Sequence, residues 1–179
     1  MKSIKVIIFS LVLLPLLSFQ ADAQRFCYVD TEYILEKMPE YRSAQKQLDD
    51  QAEQWKSEIE KKRKEIEKLY NEYQAEQVLL PEDIRKKKEN EILNKEDALN
   101  EYKDKKFGRE GELFKKRREL IKPIQDKVFD AIQKLAQDEG YDFIFDKAGA
   151  VTMLYVNAKF DRSDEVLELL GVETESEKK

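Results

Sequence analysis

The chain has 179 residues, with 33 Lys or Arg against 38 Asp or Glu, and its mean hydropathy is −0.74. It contains no His and one Cys, which excludes a His-based catalytic triad, a Cys–His pair and an ordinary zinc site. Five Gly and four Pro also disfavour a β-sandwich, a propeller or a Gly-rich nucleotide-binding fold. We therefore expect a protein that is not an enzyme and needs no cofactor.

Residues 1–23 are typical of a secretory signal peptide. Lys2 and Lys5 precede an apolar run over residues 6–19, and Ala21-Asp22-Ala23 fits a cleavage site. A membrane anchor is the alternative, but the run is shorter than the roughly 20 residues that span a bilayer. We predict export and cleavage after Ala23.

Three prolines then divide the chain at equal intervals. Pro39, Pro81 and Pro123 stand 42 residues apart, and the residues between them are mostly strong helix formers. This predicts two helices of equal length that meet at Pro81 and form a helical hairpin arm over residues 41–123. On the outgoing helix, an a/d heptad pattern broken once at Lys62 predicts a seam through Leu48, Ala52, Trp55, Ile59, Ile66, Leu69 and Tyr73.

The return helix has a weaker seam, because basic residues occupy some of its a/d positions. Lys95, Lys106, Arg109 and Lys116 alternate there with Ile92, Leu99, Tyr102, Leu113 and Leu120. This predicts an arm that is incompletely buried. Pairs spaced i, i+4, such as Glu82–Lys86 and Glu112–Lys116, are expected to support its solvated faces.

Two glycines interrupt this return helix. Gly108 and Gly111 each disfavour a helix interior by about 1 kcal/mol relative to Ala. We predict that they form a hinge, and the alternative is that a solvated helix merely tolerates them.

The two ends of the chain are predicted to form a discontinuous base from residues 24–40 and 124–172, followed by a polar tail over 173–179. Phe26 to Asp30 predicts a strand, and a short helix follows from Thr31 to about Met38. A helix that follows Pro123 should end at Gly140. Residues 141–146 and 151–156 predict two strands joined by a turn over 147–149, before a last helix capped by Asp161 or Ser163.

A base of roughly 70 residues is too small to hold a large core alone, and its few strands leave free edges. We therefore predict self-association into a homo-oligomer. The candidate contact residues are Phe26, Tyr28, Phe143, Phe145 and Leu154.

Charge differs between the two parts. Residues 41–125 contain 22 basic and 20 acidic side chains, whereas the rest of the mature chain contains 9 and 17. Near the hairpin tip, Arg85, Lys86, Lys87 and Lys88 are candidates for weak contact with anionic membrane lipid or an acidic partner. A solvated helix face is the alternative.

In order and spacing, the chain resembles the Skp/OmpH family of periplasmic chaperones. The resemblance is carried by the signal peptide, by residues 26–30, by the hairpin, and by residues 121–128, 140–146 and 164–171. It implies an α+β, mostly helical fold, in which a homotrimer joins its strands in a small barrel and its hairpins surround a cavity like the arms of a jellyfish. It also implies ATP-independent holding of unfolded outer-membrane proteins in the periplasm of a Gram-negative cell. We expect no nucleic acid among the partners. Well-known members are strongly basic, whereas the sequence pI here is about 5.2.

We predict that such an arm would hold its client through many weak apolar and cationic contacts. The candidate client-binding residues are Trp55, Ile59, Tyr70, Lys95, Leu99, Tyr102, Lys106, Phe107, Arg109 and Phe114. The alternative function is a non-enzymatic coiled-coil scaffold or spacer of the cell envelope, which would need dry, continuous seams.

Overall fold

Long helices dominate the structure, a computed structural model that describes residues 24–149 and 153–173. In chain order the elements are β1 (Phe26–Val29), α1 (Thr31–Lys37), α2 (Pro39–Glu76), α3 (Glu82–Phe107), α4 (Glu112–Glu139), β2 (Phe143–Asp146), a 3-10 turn (Ala158–Phe160) and α5 (Ser163–Leu169). The predicted signal peptide and residues 174–179 of the predicted tail lie outside the described residues.

The base is held together by a small parallel sheet. β1 pairs with β2 in a register that places Phe26 opposite Phe143 and Tyr28 opposite Phe145. Helices α1, α4 and α5 and the start of α2 meet under this sheet. Their core contains Val29, Ile34, Met38, Ala44, Leu48, Ile121, Ile124, Val128, Ala131, Leu135, Val166 and Leu167. The base is therefore built from both ends of the chain, with the arm as an insertion.

Short-range capping fixes the boundaries of the base helices. The Asp30 carboxylate accepts a hydrogen bond from the backbone N–H of Tyr33 at 3.0 Å and so caps α1. Gly140, with φ of +66°, ends α4 in the left-handed conformation that favours glycine. The predicted cap of α5, Asp161 or Ser163, is wrong, because Arg162 is the N-cap and makes no side-chain capping bond. Asp161 lies one residue before it and accepts a hydrogen bond from the N–H of Ser163 at 2.9 Å.

The arm, predicted over residues 41–123, is built from α2, α3 and the start of α4, and a turn over residues 77–81 joins α2 to α3. At 38 residues, α2 is about 57 Å long. Cross-helix pairs run in opposite directions along the two helices, as Tyr73 bonds to Glu89 and Tyr102 to Glu58. The helices are therefore antiparallel. A cluster of four buried residues, Ile66, Tyr73, Ile92 and Leu99, lines the predicted seam.

The predicted equal length of the two arm helices is wrong, because the return helix breaks at the predicted glycines. The helix that starts at Glu82 ends at Phe107, and α4 begins at Glu112. Gly108 permits this break because a Cβ there would lie 2.3 Å from the Asp104 carbonyl oxygen. Pro123, which we expected to separate arm from base, lies inside α4. Burial of Ile121 and Ile124 on either side of Pro123 holds the helix together despite the lost hydrogen bond.

Two further local predictions need correction. Residues 153–157 form no strand, while 150–152 lie outside the described residues. A strand needs a ladder partner, and β2 pairs with β1 instead of with this segment. The predicted Glu82–Lys86 pair forms at 2.9 Å. Glu112, however, pairs with Lys106 and not with Lys116.

Candidate functional site

One face of the base sheet is aromatic. Alternate residues of a strand point to opposite faces, so Cys27 and Val29 are buried against the helices while Phe26, Phe143 and Phe145 face outward and are exposed. The rings of Phe143 and Phe145 stack with centroids 6.5 Å apart. Burial raises the pKa of the Cys27 thiol to about 11, so this thiol is protonated at neutral pH and serves as a small core residue.

The segment that follows β2 extends this aromatic face. Leu154 and Tyr155 are 95% and 83% exposed. Beside them lies an open cavity of about 380 Å³, lined by Phe26, Cys27, Tyr28, Phe145, Met153, Tyr155, Val156, Asn157 and Phe160. We call the exposed set of Phe26, Phe143, Phe145, Leu154 and Tyr155 the base patch. Contiguous exposed apolar side chains of this kind mark interaction surfaces. The sheet beneath them has two strands, and a two-stranded sheet is only marginally stable by itself.

The tip of the arm is also apolar. Val78 and Leu79 in the turn are 90% and 86% exposed. Of the predicted basic run, Lys86 and Lys88 form ion pairs with carboxylates at 2.9 and 2.7 Å. Residues 76–91 contain four basic and five acidic side chains, net −1. The tip is therefore not a cationic surface overall, which weakens the case for anionic lipid there.

Where α3 ends, a cluster of cations and aromatic rings joins the two sides of the helix break. The Lys106 ammonium lies 4.8 Å from the ring centroid of Trp55 and 5.4 Å from that of Tyr102. It also pairs with Glu112 across the break. The Trp55 and Phe107 rings meet edge to face at 6.0 Å. These contacts, which we call the break cluster, hold the end of α3 and the start of α4 against α2.

The electrostatics of the break cluster follow from these contacts. Burial, together with a hydrogen bond from Tyr102 to the Glu58 carboxylate, raises the pKa of Tyr102 to about 12. The ammonium of Lys106 lowers the pKa of Glu112. Tyr102 is therefore a neutral donor at neutral pH, and Glu112 remains ionised.

The predicted client-binding residues do not form one pocket; they are distributed along the arm. Trp55 and Leu99 are buried within the hairpin, because they occupy the seam. Ile59, Tyr102 and Lys106 are half-buried. The exposed members are Tyr70, Lys95, Phe107, Arg109 and Phe114. Among the predicted oligomerisation residues, Tyr28 is buried inside the base, whereas the others belong to the base patch.

Sequence reasoning missed several exposed side chains. Leu93 and Phe129 are 55% and 66% exposed. Each adjoins a buried residue of its helix, Ile92 and Val128, and lies just off the buried stripe. A second basic run, over residues 115–118 of α4, was also passed over. Four consecutive basic residues in the sequence were enough to predict a cationic surface there.

Each helix within residues 24–149 and 153–173 is too short or too polar to span a bilayer. In the same part of the chain, His, Cys, Asp and Glu side chains form no group of three or more that is arranged to hold a metal ion.

The fold and these surfaces define a helical-arm protein whose small, strand-containing base is suited to association. The chain belongs to the OmpH-like family, since the family model described as "Outer membrane protein (OmpH-like)" matches residues 25–170. This confirms the Skp/OmpH resemblance and the predicted α+β, mostly helical fold class.

A solved structure shows the same fold. The chain is similar to an OmpH-like protein from Caulobacter crescentus CB15, described as a candidate outer membrane chaperone, with a TM-score of 0.65 and 16% identity. The match covers 86% of this chain and 90% of that one. A search of curated proteins found no match.

Proposed function

We propose that the protein is an ATP-independent holdase chaperone that binds unfolded outer-membrane proteins in the periplasm and prevents their aggregation before insertion. The observation that carries this proposal is the surface of the arm. Over a length of about 57 Å along α2, a hairpin with a thin buried seam keeps apolar and cationic side chains in water. Membership of the OmpH-like family, and the description of the Caulobacter relative, support it.

The base patch supplies the means of assembly in this proposal. Three exposed Phe side chains and the neighbouring Leu154 and Tyr155 would be covered by further copies of the chain. Assembly as a homotrimer would place three arms around a common cavity. The cavity would exist only in the oligomer, so client binding depends on the base patch.

Holding would rest on many weak contacts. Strands of an outer-membrane barrel alternate apolar and polar residues, and such segments aggregate when they are exposed to water. Exposed side chains such as Tyr70, Phe107 and Phe114, with nearby cations such as Lys95 and Arg109, offer separate small sites for them. Affinity would come from the number of contacts. Release would need no nucleotide. The client would leave when it reaches a site that binds it more favourably than the arms do.

Residues 1–23 fit the proposed location. A positive start, a short apolar run and Ala21-Asp22-Ala23 are the features of a cleaved export signal. Mass spectrometry of the protein isolated from its host is expected to find Gln24 as the first residue. A first residue at or near Met1 would contradict export with cleavage.

An aggregation assay tests the main proposal. A urea-denatured β-barrel outer-membrane protein is diluted into buffer with the purified protein, and light scattering is followed with and without ATP. We expect suppression at one client per oligomer, independent of ATP, with the stoichiometry read by native mass spectrometry. A natively folded protein in place of the client serves as the control and should not bind.

A coiled-coil scaffold or spacer is the second candidate. The buried cluster of Ile66, Tyr73, Ile92 and Leu99 favours it, because this cluster holds the hairpin closed as a spacer requires. An intact oligomer that fails to suppress aggregation would favour the scaffold over the chaperone.

A further inference from the structure

The net positive charge of the arm comes from one segment. Residues 103–122 contain nine basic and four acidic side chains, net +5, in a chain of net charge −5. The rest of residues 41–125 contains 13 basic and 16 acidic side chains, net −3. This segment covers the end of α3, the break and the start of α4.

Within this segment, α4 carries a groove with an apolar floor and a cationic rim. Phe114, Arg117, Arg118 and Ile121 share one helix face, because residues three, four and seven apart lie together. Phe114 is half exposed and Ile121 is buried, while the Arg118 guanidinium lies 5.7 Å from the Phe114 ring centroid. The groove has a volume of about 390 Å³ and is lined by Phe114, Arg117, Arg118, Ile121, Lys122, Gln125 and Asp126.

The two guanidinium groups of the rim are available to a ligand. Neither Arg117 nor Arg118 forms an ion pair with a carboxylate in the part of the chain that the structure describes. Two of the neighbouring carboxylates are already occupied, since Glu112 pairs with Lys106 and Asp126 pairs with Lys122 at 2.7 Å, while Glu119 forms no ion pair within residues 24–149 and 153–173. The groove therefore presents two unneutralised cations beside an apolar surface.

This arrangement selects for a particular chemistry. Arg binds carboxylates through two parallel hydrogen bonds, and the apolar floor formed by Phe114 and Ile121 favours an apolar side chain next to them. We propose that the groove binds acidic stretches of an unfolded polypeptide that also carry apolar side chains. This proposal rests on the proposed holdase function, and it explains how a chain of sequence pI about 5.2 holds its client electrostatically.

The position of the groove favours a polypeptide over a lipid surface. The 26 residues of α3 separate the groove from the arm tip by about 39 Å. A membrane would meet the tip first, and residues 76–91 there have a net charge of −1. A flexible polypeptide held beside the arm can reach the groove without first meeting the acidic tip.

The test compares two double variants with equal loss of charge. Arg117→Gln with Arg118→Gln removes the rim, while Arg85→Gln with Lys87→Gln removes two exposed, unpaired cations near the tip of the same arm. The probes are a fluorescent, unstructured peptide in which Glu and Phe residues are separated by Gly and Ser, and its counterpart with Lys in place of Glu. Binding is measured by fluorescence anisotropy over a range of salt concentrations, on intact oligomer.

We expect the wild type to prefer the Glu peptide, and the rim variant to bind it about tenfold more weakly with a reduced salt dependence. The tip variant should stay within about twofold of wild type. An equal loss of affinity for the Glu peptide in both variants would overturn the proposed groove. A wild type that shows no preference for the Glu peptide would do the same. So would a rim variant that loses binding to anionic phosphatidylglycerol vesicles while its peptide binding is unchanged.

The aggregation assay separates this proposal from the function on which it rests. If the rim variant holds the Glu peptide and the denatured barrel protein as well as wild type, the groove is refuted and the holdase function stands. If the wild type neither binds the peptides nor suppresses aggregation, the holdase function itself fails.

Discussion

The base and the arm are stabilised in different ways. Twelve buried residues drawn from β1, α1, α2, α4 and α5 form the core of the base. The arm buries a cluster of four residues and, apart from it, Trp55, on two helices that are mostly solvated. The arm therefore depends on helix propensity and a thin seam, and it should open locally before the base unfolds. A compact anchor and a compliant arm would suit the proposed holdase, which must stay assembled while it adapts to a disordered partner.

The largest expected effect concerns assembly through the base. Phe143→Ser with Phe145→Ser should dissociate the proposed oligomer, because each buried Phe contributes about 1.5–3 kcal/mol to an interface that covers it. Native mass spectrometry measures the outcome. Tyr70→Ser, an exposed aromatic on the arm, is the matched control and should leave the mass unchanged. A double variant that keeps its oligomeric state would show that the base patch is misassigned.

A pair of core truncations compares the two regions directly. Ile34→Ala, at a position with 0% exposure in the base, should lower the free energy of global unfolding by about 2–5 kcal/mol. Leu99→Ala in the arm cluster should mainly speed hydrogen exchange of arm amides and leave the base amides protected. If both substitutions lower the protection of amides against hydrogen exchange equally in the arm and the base, the two regions unfold as one unit.

The helix break gives the next prediction. With Gly108→Ala and Gly111→Ala the break cannot persist unchanged, because the Cβ at position 108 would lie 2.3 Å from the Asp104 carbonyl oxygen. Ala also favours a continuous helix by about 1 kcal/mol per site. We expect higher helical circular dichroism, a stiffer arm and a narrower range of client sizes held. An unchanged range in a folded double variant would remove the proposed hinge.

The smallest expected effect is on acid stability. The Tyr33 backbone N–H and Lys147 lower the pKa of Asp30, so its contribution is complete above the ordinary value of 3.8 and is lost as the pH falls through the lowered value. Asp30→Asn retains a cap but not this titration. Its melting temperature should therefore fall less than that of wild type below pH about 4. Identical acid profiles would mean that Asp30 contributes nothing to the pH dependence.

Features that depend on local sequence could be predicted. The seam residues Trp55, Ile66 and Tyr73 are buried as their heptad spacing indicated, and Gly140 ends α4. Helix periodicity and capping act over a few residues, so one sequence is enough to see them.

Features decided by tertiary packing could not be predicted. Pro123 predicts a helix boundary from sequence alone, yet the base core on either side keeps α4 continuous. Tyr28 and Phe26 occupy the same strand face, but only Tyr28 is buried, and its backbone forms a bridge to Asp161. The cationic rim of the α4 groove exists because two of the nearby carboxylates pair with other cations, and sequence spacing does not show this pairing. Spacing predicted that Glu112 pairs with Lys116, whereas it pairs with Lys106.

The parallel pairing of β1 with β2 also dictates an order of events during biogenesis. The first strand emerges at Phe26, but its partner begins 117 residues later at Phe143. No ladder can exist until almost the entire polypeptide has been delivered, whereas the hairpin needs only nearby segments and can form first. Subunits of the proposed oligomer would therefore assemble only after synthesis is nearly complete, and a truncation before residue 143 would leave free hairpins without the sheet that anchors them.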